Sequence, residues 1–180
     1  GAVIPGFYGL MPDGNIRTFT RGGSDITGAL AAAALDADVY ENWTDVSGFL
    51  VADPRIIDNP QAIETITYRE LRELAYMGAG VLHEDAIFPV RVEGIPINIR
   101  NTNHPGEPGT MIQQSRRVVP GTVVGVASAD GFCNIVVEKY LMNREIGFGR
   151  RLLQILEDEH VPYEHMPSGV DSQCIVIKEQ

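Results

Sequence analysis

Residues 15–44, NIRTFTRGGSDITGALAAAALDADVYENWT, alternate strand, glycine turn, helix and strand within one short stretch, which leaves few folds open. Asn15 to Phe19 and Phe7 to Leu10 flank a Pro12-Asp13-Gly14 turn, so a hairpin is predicted, with Val3 to Pro5 as the end of an earlier strand. Ile26 to Asp36 is rich in alanine, the best helix former, and Ser24 or Asp25 can cap it. Asp38 to Thr44 has strand propensity. Further on, Thr67-Tyr68-Arg69-Glu70 is a capping box that opens a helix ended by Gly78 and Gly80. Glu84 to Glu93 reads as another helix, with Pro89 inside and Gly94 after it, and Ile95 to Arg100 reads as a strand. The alternation predicts an α/β fold with a mixed or mainly parallel sheet.

Asn103 to Gly109 is a loop, and the polar, proline-containing run Gln113 to Gly121 is where a domain boundary is placed, at 115/116. Thr122 to Ala127, Asn134 to Glu138, Val161 to Met166 and Cys174 to Lys178 are predicted strands. Gly147 to Glu159 is a helix, with Phe148, Leu152 and Leu156 on one face. About 60 residues make a small βαβ-type layer, marginal by itself. The chain opens within a strand pattern, with no basic leader, so upstream sequence is expected.

The formal charge of −10 over 180 residues disfavours nucleic acid and anionic membranes. No apolar run approaches the ~20 residues of a membrane span. Cys133 and Cys174 sit in apolar runs without metal-ligand spacing, so they are expected to pack as hydrophobes in a reducing, cytoplasmic compartment.

Two stretches carry chemistry. In RGGSD, Gly22 and Gly23 allow positive φ and leave bare backbone for a ligand, and the following helix offers unpaired amides and a positive dipole end. Arg21 supplies a fork for a carboxylate or phosphate, and Asp25 an acceptor for an ammonium group. A zwitterionic amino acid beside a transferring phosphate would suit this corner, but a plain glycine turn with a Ser/Asp cap accounts for the same five residues equally well. In WTDVSGFLVADPR, Thr44 and Asp45 fall at the C-terminal end of a strand, where open α/β sheets bind ligands, and Asp53 and Arg55 flank a proline turn. An Asx-turn with a surface ion pair is the competing account there.

Taken together, FTRGGSDITGAL, ENWTDVSGFLVADPR, ELAYMGAGVLHEDAIFPV and GIPINIRNTNHPGEPGT resemble successive segments of the catalytic domain of aspartokinases, in the amino-acid kinase family. EKYLMNREIGFGRRLLQILEDEHVPYEHMPSG resembles the first ACT domain, the amino-acid-sensing module that follows it. The resemblance implies a three-layer αβα nucleotide-binding lobe over residues 1–115 and a partial ferredoxin-like ACT domain over 116–180. It further implies phosphorylation of the β-carboxylate of L-aspartate by ATP with Mg²⁺, the first step toward lysine, threonine and methionine. By resemblance, Arg21, Ser24 and Asp25 are catalytic: Arg21 pairs with the substrate carboxylate, and Asp25 orients the substrate and the catalytic lysine. Thr44, Asp45, Leu50, Asp53, Arg55, Gly80 and Val81 would line the nucleotide site. No metal is assigned to side chains, because Mg²⁺ would ride on the ATP phosphates.

Three departures stand out. The KFGGSS-like segment that supplies the catalytic lysine is not in these residues, so the chain alone is not expected to be active. The aromatic usual near the nucleotide falls on Leu50, beside Phe49. A lysine common in the family is Gly80 here. In the ACT-like part, Met142, Gly147, Phe148, Gly149, Glu164, Ser168 and Gly169 match the effector site, for lysine and/or threonine, and a homodimer through ACT domains is implied. The rival reading is a non-catalytic, amino-acid-sensing regulatory subunit, although a sensor needs neither RGGSD nor WTDV. A different amino-acid kinase is disfavoured by RGGSD and by the ACT pattern.

Overall fold

The computed structural model describes residues 1–19, 22–76 and 84–179, apart from the side chains of 76 and 84–86. It divides into two compact units, 1–128 and 129–180. The first opens with a hairpin of β1 (Tyr8–Leu10) and β2 (Ile16–Thr18), in register Tyr8 to Thr18, around the expected turn. The residues before it, 3–5, form no strand.

A four-stranded sheet follows, in the order β3 (Tyr40–Thr44), β5 (Ile97–Asn101), β6 (Thr110–Gln113), β4 (Thr65–Thr67). β3 runs parallel to β5 and β4 parallel to β6, while β5 and β6 are antiparallel, so the sheet is mixed. The helices are α1 (Gly23–Ala34), α2 (Tyr68–Tyr76) and α3 (Glu84–Glu93). Ala29 and Ala32 of α1, Tyr68 and Leu71 of α2, and Ile87 and Val90 of α3 share one core with Ile66, Ile97, Ile99 and Ile112 of the sheet. Alternation on β5 puts Ile97, Ile99 and Asn101 inside, as period-2 geometry requires.

The capping box forms as the sequence predicts. The Thr67 amide donates to Glu70 Oε2 at 2.9 Å and the Glu70 amide to Thr67 Oγ1 at 3.2 Å. The same threonine ends β4, a strand too short to stand out beside a cap signal. β6 was hidden likewise, inside what reads as loop and linker.

The expected boundary at 115/116 falls ahead of the division at 128. Arg116 reaches back to Glu70, donating from Nη2 to Oε1 at 2.7 Å and from Nε to Oε2 at 2.8 Å. Val124 packs on the first unit's core and the Val126 amide donates to the Val51 carbonyl at 2.7 Å. These ties bind 116–128 to the first unit, and 122–127 forms no strand.

The second unit pairs β7 (Phe132–Glu138) antiparallel with β8 (Ser172–Lys178), joined through a 3₁₀ turn at Met142–Arg144 and helix α4 (Phe148–Asp158). Val161 to Met166 is not a strand: His165 makes a single bridge to Val176. Buried hydrophobic side chains here are Met142, Leu156 and Ile175.

Candidate active site

The mouth of α1 is set by Gly22, which takes the N-cap place at φ 64°, in the left-handed region that glycine occupies without strain. Neither Ser24 nor Asp25 takes the cap place, and among the described residues no side-chain cap bond is made to the first amides of α1. Gly23 has a different reason from the one expected. A Cβ there would lie 2.6 Å from Cβ of Phe19, so its bareness admits the Phe19 side chain rather than a ligand. Arg21 lies outside the described residues, as do Gly80 and Val81 in the second expected segment.

Asp25 points back to β3. Asn42 Nδ2 donates to Asp25 Oδ1 at 3.0 Å and to Tyr40 Oη at 3.2 Å, and Tyr40 Oη donates to the Asp25 carbonyl at 3.2 Å. Burial pushes the Tyr40 phenol above its usual pKa, with the Asn42 bond opposing and the Asp25 charge adding, so it remains a protonated donor. Sequence reasoning named Asp25 but missed Asn42 and Tyr40. The available signal was a polar residue at an inward position of a strand, flanked two residues away by Tyr40 and Thr44.

Two residues beyond Asn42, β3 ends at Thr44, and a loop begins. Thr44 Oγ1 donates to Asp45 Oδ1 at 3.2 Å. The Thr44 carbonyl accepts from the Thr102 amide at 2.8 Å and from Thr102 Oγ1 at 2.9 Å. Asn101, buried at the end of β5, donates from Nδ2 to Ser47 Oγ at 2.9 Å. Gly48, at φ 108°, lets the loop pass over Thr110, whose hydroxyl accepts from the Phe49 amide at 2.8 Å and donates to the Ile63 carbonyl at 2.6 Å. Asp25 is therefore tied to the first and middle residues of β3, the strand that ends in the Thr44–Asp45 turn. Trp43 lies on the other face of the strand, stacked 4.9 Å from the Arg100 guanidinium.

Phe49 is buried in the core, so it offers no ring to a nucleotide; Leu50 beside it is 39% exposed and bridges to Ala62. Arg55 Nη2 donates to Asp53 Oδ2 at 2.6 Å, and the Arg55 amide to Asp53 Oδ1 at 2.8 Å, the Asx-turn and ion pair weighed above. The pairing holds the Asp53 carboxyl below its usual pKa, first through the side-chain bond from Arg55. Asp53 also lines a cleft of ≈ 530 Å³ with Val51, Ile56, Ile57, Val123 and Val126. Asp25, Thr44 and Asp45 do not line it. Among the described residues no group of three or more His, Cys, Asp or Glu is placed to hold a metal ion, and no helix is long and apolar enough to cross a membrane.

In the second unit, Gly147 sits at the N-cap of α4 at φ 78°, again with no side-chain cap. Met142 is buried. Lys139 and Arg151 both approach the Phe148 ring, at 5.7 and 5.8 Å from its centroid, and both cations pair with Glu145. Gly149 faces Gln173, whose Nε2 donates to Ser168 Oγ at 3.3 Å, and the Gly169 amide donates to the Ser172 carbonyl at 2.7 Å. Glu164, next to the isolated bridge of His165, pairs with Lys178 Nζ at 3.4 Å. The fold thus brings Gly149 and Ser168 to Gln173, with Gly147 and Phe148 at the same helix start and Glu164 beside the His165 bridge.

The amino acid kinase family matches residues 2–101, more than half of the chain, and the chain belongs to that family. Within it, the likeness is to aspartokinases. Aspartokinase 3 of Bacillus subtilis (strain 168) is 50% identical over 177 residues, 98% of this chain and 39% of that protein. The crystal structure of the Clostridium acetobutylicum aspartate kinase is 57% identical with a TM-score of 0.87, over 97% of this chain and 41% of that one. E. coli aspartokinase III, in its complex with aspartate and ADP, is 28% identical with a TM-score of 0.69, over 97% of this chain and 39% of that one. The chain spans about two fifths of the length of the relatives it matches. These structures share the α/β amino-acid kinase fold expected from the sequence.

Proposed function

We propose that the full-length protein of which this chain is a stretch phosphorylates the β-carboxylate of L-aspartate with MgATP and is feedback-regulated by an amino acid. In the reaction a β-carboxylate oxygen attacks the γ-phosphorus, the bond from that phosphorus to the β,γ-bridging oxygen breaks, and ADP leaves with its electron pair. Such transfers depend on positioning and charge neutralisation more than on covalent chemistry. The observation that carries the reading is the tying of Asp25, through Asn42 and Tyr40, to β3, the strand that ends in Thr44 and leads into Asp45. Asp25 would take the substrate's ammonium group, and Arg21 with Ser24 its carboxylate. The uncapped amides of α1 suit an anion. Thr44, Asp45, Leu50, Asp53, Arg55, Gly80 and Val81 would bound the nucleotide, and Mg²⁺ would neutralise its phosphates. The structural likeness to a kinase crystallised with aspartate and ADP supports this assignment.

Residues 129–180 would be the ACT-type sensor, with Met142, Gly147, Phe148, Gly149, Glu164, Ser168 and Gly169 about the effector and a second copy of the chain added along the β7–β8 sheet. The likeness to E. coli aspartokinase III in complex with lysine and aspartate, 27% identical with a TM-score of 0.64, supports lysine as the first effector to try. The test is Asp25→Ala in the full-length protein. Hydroxamate formation from aspartate and ATP should fall at least about 1,000-fold, as for loss of a group that positions the reacting atoms. Near-normal turnover would remove Asp25 from the reaction.

A further inference from the structure

We infer that Asn42 is a positioning residue for the Asp25 carboxylate, holding it from β3 so that one oxygen stays free for the substrate. The inference rests on the proposed role of Asp25 and goes past it to a residue that touches no substrate. Asn42 is only 8% exposed, at a strand position paired with the buried Ile99 of β5. A buried amide costs stability unless it is bonded, so its presence needs a reason. Its partners supply one: Nδ2 serves both Asp25 Oδ1 and Tyr40 Oη, and Tyr40 returns a bond to the Asp25 carbonyl. Only the amino end of an amide can face a carboxylate, so the orientation of Asn42 is set by Asp25 itself.

The support extends one layer further. A Cβ on Gly28 would lie 2.7 Å from Tyr40 Oη, so α1 and β3 approach closely enough at that glycine for the phenol to reach under the helix. Asp25 is thereby held at both its side chain and its main chain by two residues of a rigid strand. A carboxylate oriented this way loses little rotamer freedom when substrate arrives, the condition for a well-positioned acceptor.

The test uses four variants of the full-length protein, with turnover scaled to the folded fraction: Asn42→Asp, Asn42→Leu, Asp25→Asn and the exchanged pair Asp25→Asn with Asn42→Asp. Asn42→Asp and Asn42→Leu should each lower kcat about 10- to 100-fold, the worth of one hydrogen bond to a charged group, with the KM for ATP unchanged. The exchanged pair restores a donor–acceptor contact and should recover the melting temperature lost in Asn42→Asp, but not turnover. A merely structural amide predicts the opposite: turnover per folded molecule near wild type in the single variants. That result, recovery of turnover in the exchanged pair, or failure of both Asn42 variants to fold would overturn the inference. Full activity in Asp25→Asn would instead sink the underlying reading of Asp25, whatever Asn42 does.

Discussion

Ile97, Ile99 and Ile112 in residues 1–128 have no exposed surface, whereas Ile135, Val136 and Ile155 in residues 129–180 stand 41%, 58% and 60% exposed. Both units are written in the same alternating apolar style, and β7 has as strong a strand propensity as β5. What differs is the second surface. β5 is central in a four-stranded sheet against three helices, while β7 has one strand partner and one helix in its unit. Periodicity chooses which face of a strand is apolar, but burial needs something to lay over that face, and a two-stranded ribbon is marginal by itself.

The widest gap between the units should appear on truncating their isoleucines. Ile99→Ala is expected to cost about 2–5 kcal/mol through lost transfer energy and a cavity. Ile135→Ala, at a partly solvated site, is expected to cost under about 1 kcal/mol. Urea titration of the chain, followed by probes in each unit, checks both; equal losses would break the contrast.

Next in size is the tie from Arg116 to Glu70, which fastens the following segment to the first unit. Arg116→Ala should cost about 1–2 kcal/mol, as for charge-assisted bonds at a half-buried site. The Arg116 bond, aided by those from Thr67, holds the Glu70 carboxyl at about 2, below its ordinary 4.5. Because the folded pKa is depressed, this contribution is complete above about pH 4.5 and is lost as pH falls toward 2. Melting followed from pH 6 to pH 2.5 should show that loss in the parent and a shallower fall in Arg116→Ala.

The smallest effect on stability belongs to Glu164→Ala. Its partner Lys178 is 69% exposed at the side chain, so the pair is worth under about 0.5 kcal/mol. In the full-length protein the same change should weaken the proposed feedback inhibition by lysine while uninhibited turnover stays at the parent level. Unchanged inhibition would take Glu164 out of the effector site.

Several elements were legible from local chemistry. The capping box at Thr67 and Glu70, the hairpin around Pro12-Asp13-Gly14, and the helix Glu84–Glu93 depend on side chains within a few residues of one another. The glycine turn was legible in part: Gly22 has the positive φ that two glycines advertise, but Gly23 answers to Phe19. At the candidate site Asp25 was named for its place before an alanine helix, while Asn42, seventeen positions on, was passed over. Its pairing is invisible until α1 and β3 lie side by side.

The sequence alone determined the alternation of strand and helix, the caps and turns, and the motifs that place this chain among the amino acid kinases, because each rests on φ/ψ preference or on contacts a few residues long. The tertiary structure decided the rest. It set the antiparallel join of β5 to β6, the capture of residues 116–128 by the first unit, and the lacing of Asp25 to Asn42 and Tyr40. Each of those is a bond or a burial between groups far apart in the chain, and its energy exists only once the intervening loops have closed.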